Sequence, residues 1–265
     1  VFQQFFQKAP ELKSAREIGM MREAGKIVAE ALAMCRAMAK PGVRSIEINM
    51  AVEALFTRHG ARPLFKNYSI PKVPVAFPAS TCISFNEQVV HGIPGQREIR
   101  DGDLVKIDTA CKLNGWCADA AITVQVGNVR PERRRLVESG EQVLRIAIEE
   151  MGRRRWWSEV AAHMQRFAEG TGFSVVKNYV GHGIGRTMHE NPQVPNYVSR
   201  DMKKLDFRLE EGLVIAVEPM LNMGRGDIRV LSTDHWTVVT VDAMPSCHVE
   251  HTLAITRNGV EIVTA

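Results

Sequence analysis

No run of apolar residues in this sequence approaches the roughly 18 needed to cross a bilayer, so a membrane-spanning helix is not expected. The opening VFQQFFQKAP lacks a basic start, a sustained apolar stretch and a small-residue cleavage site. Residues 1–10 are therefore predicted to be an N-terminal arm rather than a secretory signal, ahead of a single domain over residues 11–265. The chain starts at Val1, which leaves room for processing or for a segment ahead of it. Cysteine is sparse: Cys35, Cys82, Cys111, Cys117 and Cys247 are odd in number and scattered through 265 residues. A chain this long builds a core without disulfides, and a reducing cytoplasm is the expected compartment. Cys111 and Cys117 lack the short paired spacing of a zinc ribbon and read as strand residues with free thiols. Strong charge of one sign is missing too. Thirty-four Lys and Arg against 30 Asp and Glu leave +4, which gives no ground for dedicated DNA or RNA binding. Two basic runs, RPERRR (130–135) and GRRRWW (152–157), read as solvated helix ends.

A helical zinc motif is also lacking. In VGHGIGRTMHENP, His182 and His189 stand seven apart, whereas that motif sets two histidines four apart around a glutamate. Glycine makes this segment too loose for an ordinary helix, so its histidines need partners from elsewhere in the chain.

What is present is periodic. Ser14 followed by Glu17 forms a capping-box pattern before a long helical stretch that stops at Lys40-Pro41-Gly42. A second helix is predicted near Ser45, with Ala51, Val52, Leu55 and Phe56 inward and a stop at His59-Gly60. Strands are predicted at STCISF, DLVKIDTA and AAITVQV. The order then recurs, with helices from Pro131 and from Ser158, the latter ending near EGTG, and strands at FSVV, LVIAVEP and EHTLAIT. The tripeptide KNY closes a helix stop in both halves, at 66–68 and 177–179, which points to internal duplication. The prediction is an α+β fold of two similar halves, antiparallel strands in the middle and helices outside, with a cleft between the halves. Because each half has its partner within the chain, a monomer is expected.

Asn114-Gly115 is a strong two-residue hairpin signal, since both turn positions need positive φ. Leu113 then pairs with Trp116 and Ala110 with Asp119, which sets Asp108 and Asp119 on one sheet face as diagonal neighbours. Glu218 ends the apolar GLVIAVEP and Glu250 leads EHTLAIT. Four strands thus each carry an acid at the rim of an apolar run, and buried carboxylates need compensation. Their four negative charges match two divalent cations. With one imidazole as a fifth donor, the set suits Mn, Fe(II), Co or Zn.

The blocks STCISFNEQVVHGIP, GDLVKIDTACKLNGWCADAAITV, VGHGIGRTMHENPQV, VIAVEPMLN and VEHTLAIT closely resemble those of type I methionine aminopeptidases, from about Glu11 to the C-terminus. The resemblance implies the pita-bread fold over 11–265 and two divalent ions (Co, Mn, Fe(II) or Zn). It implies Asp108, Asp119, His182, Glu218 and Glu250 as metal ligands, Asp119 and Glu250 bridging. It implies His91, His189 and Glu218 as catalytic, both histidines facing substrate, with Cys82, Phe77, Met188 and Trp236 around a methionine side chain. The implied reaction removes N-terminal methionine from nascent proteins and peptides, preferably before a small second residue, with transient ribosome contact. Three departures stand out: MGRRRWWSEV replaces a proline-glycine loop, His248 stands where a polar amide is more usual, and CADAA differs from the common acidic-strand pattern around Asp119. The 28 residues between His189 and Glu218 (218 − 189 − 1) leave no room for the helical insertion of type II relatives. Two rival readings on the same fold are an Xaa-Pro aminopeptidase and a non-catalytic protein that holds peptide or RNA.

Overall fold

The computed structural model describes residues 9–71, 73–199 and 206–265; most of the N-terminal arm lies outside them. Helix α1 (Ala15–Met38) starts at the predicted capping box, where the Ser14 N–H donates to Glu17 Oε2 at 2.9 Å and the Glu17 N–H donates back to Ser14 Oγ. Helix α2 (Ser45–Arg58) buries Val52, Leu55 and Phe56, with Ala51 half-buried, and ends at His59-Gly60. Helix α3 (Pro131–Met151) opens on proline, whose missing N–H costs nothing in a first turn. Helix α4 (Trp157–Gly170) starts one residue before the predicted Ser158. The reason is Trp157 itself: it is fully buried, stacks on Phe207 at 5.8 Å and donates its Nε1–H to Pro195 O. The run GRRRWW therefore ends in the core rather than in solvent.

The main sheet has nine strands among the described residues: β1 (Arg62–Pro63), β2 (Thr81–Phe85), β3 (Leu104–Leu113), β4 (Trp116–Gln125), β5 (Gly181–Gly183), β6 (Glu190–Val194), β7 (Val214–Val217), β8 (Glu250–Thr256) and β9 (Gly259–Ile262). Their path is β1-β3-β4-β8-β7-β5-β6, with β2 added on β3 and β9 on β8; every pairing is antiparallel. Two three-stranded sheets flank it; one joins Ser174–Val175, Met220–Asn222 and Ser246–His248. The predicted FSVV strand is thus shorter and belongs to a side sheet. The strand predicted through LVIAVEP stops at Val217, because Pro219 has no N–H for the ladder.

The two halves carry separate cores. Helices α1 and α2 pack Val28, Leu32, Val52 and Phe56 on Ile83, Val105 and Ile107. Helices α3 and α4 pack Leu136, Val143, Val160 and Met164 on Ile215, Val217 and Leu253. The central join is β4 against β8, which sets a strand of the first half beside one of the second. Asn114 and Gly115 have φ of 48° and 87°, and the hairpin register is as predicted: Leu113 faces Trp116 and Ala110 faces Asp119.

The glycine-rich segment around His182 is a strand pair, not a free loop. A Cβ on Gly181 would lie 2.2 Å from Ala216 O, and one on Gly183 would lie 2.1 Å from Asn191 O. Glycine is required there so that β5 can fit between β6 and β7.

Candidate metal centre

Antiparallel partners point to the same face, so the register builds the site in two rows. In the first, Cys82 pairs with Asp108, Asp108 with Ala121 and Ala121 with Glu250. Glu218 follows Val217, the partner of His251, and so extends this row. In the second row Ala110 pairs with Asp119, Thr252 with Ala216 and Ala216 with His182. The link across it comes from Thr252, whose Oγ1 accepts from the Asp119 N–H at 3.1 Å and donates to Asp119 O at 2.8 Å. Ala121 and Ala216 stand between the charged groups and carry a single methyl each.

The five groups converge. Ligand atoms of Asp119, His182 and Glu250 lie within 4.8 Å of one another. His182 Nε2 is 3.7 Å from Glu218 Oε1 and 4.0 Å from Asp119 Oδ2. Asp119 and Glu250 are buried, yet Asp108 Oδ1, Asp119 Oδ1 and Glu250 Oε1 have no hydrogen-bond partner among the described residues. Buried polar atoms are normally satisfied. Burial and mutual repulsion hold Asp108, Glu218 and Glu250 well above the usual carboxylate range, and burial raises Asp119 as well. Burial and the neighbouring His189 push His182 down to about 3. Its Nδ1 lies 2.9 Å from Gly183 O, a contact that takes the ring proton and leaves the Nε2 lone pair facing the acids. Orphaned carboxylate oxygens around a neutral imidazole fit divalent cations, and the oxygen-rich donor set suits hard or borderline ions.

Two further histidines flank the acids. The ring of His189 meets that of His182 edge-on at 4.4 Å, and burial lowers His189 to about 4. His91, at about 4 through burial and His189, holds a φ of 58°, a strained backbone for a non-glycine residue. Sequence reasoning passed over their supports. Tyr68 Oη lies 2.9 Å from His189 Nδ1, and the Tyr179 ring stands edge-on to His91 at 5.3 Å. These are the tyrosines of the two KNY tripeptides, and each serves the histidine of the opposite half. The repeat was the available signal.

Beside the acids lies an apolar cluster. Phe77, Cys82 and Trp236 form one buried cluster, with Phe77 and Trp236 edge to face at 5.4 Å. Tyr68 packs on this cluster. Met188 is not a member of it; it lines a neighbouring cavity of about 520 Å³ together with Tyr68, Arg62, Lys66 and Lys112. The structure thus groups three of the four residues expected around the methionine side chain.

Fold and site together define a metal-dependent hydrolase of the pita-bread class. The chain belongs to metallopeptidase family M24, whose profile matches residues 19–257. It is 43% identical over 253 residues to a methionine aminopeptidase of Clostridium perfringens, covering 96% of this chain and 98% of that one. It is 41% identical to methionine aminopeptidase 1 of Bacillus subtilis, covering 95% and 98%. The crystal structure of methionine aminopeptidase from Thermotoga maritima superposes with a TM-score of 0.89 at 36% identity, covering 96% of this chain and 99% of that one. A prolidase from Pyrococcus horikoshii has a TM-score of 0.74 at 22% identity and matches over 63% of its own length; that likeness is one of fold.

Proposed function

We propose that this chain removes N-terminal methionine from nascent proteins and peptides, preferably before a small second residue. The observation that carries the reading is the convergence of Asp108, Asp119, His182, Glu218 and Glu250 on one sheet face, in a chain matched over 96% of its length by a methionine aminopeptidase. These five would hold two divalent cations, Co, Mn, Fe(II) or Zn, with Asp119 and Glu250 shared between them. When bound, the cations supply Lewis acidity that makes water nucleophilic at neutral pH.

The chain's own residues do the rest. Glu218 takes the proton from the attacking water and passes it towards the leaving amine. With Nδ1 engaged by Tyr68, His189 presents Nε2 to the carbonyl oxygen and stabilises its developing negative charge. His91, braced by Tyr179, positions the amine that leaves. The methionine side chain lodges against the apolar cluster of Phe77, Cys82 and Trp236, with Met188 in the neighbouring cavity. The protein acts as a cytoplasmic monomer, a reading supported by five free, buried cysteines and two cores joined within one chain, and its nascent substrates bring it into transient contact with the ribosome.

The deciding experiment reconstitutes the protein with Mn, Co or Fe(II) and offers peptides beginning Met-Gly, Met-Leu and Ala-Pro. Rapid methionine release from Met-Gly alone is expected. Cleavage before proline would replace the reading with an Xaa-Pro peptidase, and metal uptake without cleavage of any peptide would reduce the chain to a binding protein.

A further inference from the structure

His248 belongs to none of the five groups above, yet it faces them. It is the last residue of the Ser246–His248 strand and only 2% exposed. Its backbone is clamped over the site by Thr123, whose Oγ1 accepts from the His248 N–H at 3.1 Å and donates to His248 O at 2.6 Å. Thr123 lies two residues beyond Ala121 on β4, on the same face as Asp119. The His248 side chain is buried with both ring nitrogens lacking any hydrogen-bond partner among the described residues. Its Nε2 lies 3.9 Å from Glu218 Oε2 and 4.0 Å from Glu250 Oε2.

Those separations match the ones made by His182, at 3.7 Å from Glu218 Oε1 and 4.0 Å from Asp119 Oδ2. The Glu218 carboxylate therefore sits between two imidazoles, one oxygen towards each. Donors bound to one cation at about 2.1 Å stand between about 3.0 Å apart, at right angles, and about 4.2 Å apart, when opposed. Both histidines fall inside that range. Too far from the acids for a hydrogen bond, the unpartnered Nε2 of His248 stands at the spacing of a co-ligand.

We propose that His248 is a sixth ligand of the metal centre, bringing a second imidazole, beside that of His182, to a cation held with Glu218 and Glu250. The inference rests on the metal centre proposed above. A second nitrogen donor shifts preference from Mn, which favours oxygen, towards Co and Zn, which accept imidazole readily.

The test counts coordinated imidazoles. In the proton NMR spectrum of the Co(II)-loaded protein, two strongly shifted, solvent-exchangeable ring N–H signals are expected. His248→Gln should remove one and keep the other, and should lower Co(II) affinity by roughly 10-fold or more with a smaller change for Mn(II). Melting of the metal-free variant checks its fold; were it to fail to fold, the count in the unsubstituted protein still decides. A single shifted N–H in Co(II)-loaded protein that cleaves Met-Gly peptides would overturn the sixth ligand and leave the proposed function standing. Absence of any Co(II) uptake would overturn both.

Discussion

A carboxylate withdrawn from water keeps either a proton or a cation, and Asp119 shows the alternative at the scale of one residue. Its Oδ1 is buried and unpartnered, and burial raises its pKa. Asp119→Asn should lower methionine release by about 100-fold or more, since even removing a group that merely orients a ligand costs 10- to 100-fold. Unchanged turnover would remove Asp119 from the centre. Tyr68 gives a subtler case. Tyr68→Phe keeps the ring that packs against Trp236 and His189 but deletes the hydrogen bond to His189. A bond of this kind contributes about 1 kcal/mol, so kcat should fall several-fold with little change in KM; a fall confined to KM would place Tyr68 in binding alone.

Among the elements, the β3–β4 hairpin and its neighbour β8 set the spacing of the acids. Ala121 lies between Asp108 and Glu250 on the site face, and its small size keeps room for cations. Ala121→Leu should abolish metal uptake measured by equilibrium dialysis while circular dichroism remains that of the folded protein. Retained stoichiometric uptake would show that the cations sit elsewhere. Helix α1 makes a close approach of a different kind: a Cβ added at Gly25 would lie 1.9 Å from Val263 O. Overpacking of this sort costs about 1–3 kcal/mol, so Gly25→Ala should lower Tm by several degrees, with metal affinity unchanged. A Tm equal to that of the parent would mean that the C-terminal segment yields freely.

For the whole molecule, the site ties stability to pH and metal. The four acids have folded pKa values above the unfolded value of about 4. Without metal, their contribution is present below about pH 4 and lost as pH rises through the raised folded values. The buried histidines act in the opposite sense. Held at about 3 to 4 when folded, they lose stability as pH falls below the unfolded value of about 6.5. A cation takes the place of the acids' protons, so the Tm gain on adding metal should grow from pH 4 to pH 7, as calorimetry with and without metal would record. A gain independent of pH would mean that no proton leaves when metal binds.

How much of this was legible beforehand follows from the reach of each interaction. The Ser14–Glu17 cap, the proline start of α3 and the Asn114-Gly115 turn depend on residues a few positions apart. The amino-acid order alone therefore determined the helices and the relation of Asp108 to Asp119. It also carried the blocks that mark the family. Tertiary structure decided what those local rules cannot reach. Pairing of β8 with both β4 and β7 brings Glu250 and Glu218 to the hairpin, and close packing against Ala216 and Asn191 makes a strand of the glycine-rich segment at His182. The crossed contacts of Tyr68 and Tyr179 and the two empty nitrogens of His248 arise only when distant segments meet. A side chain's partners there are set by the path of the backbone through space rather than by its neighbours along the chain.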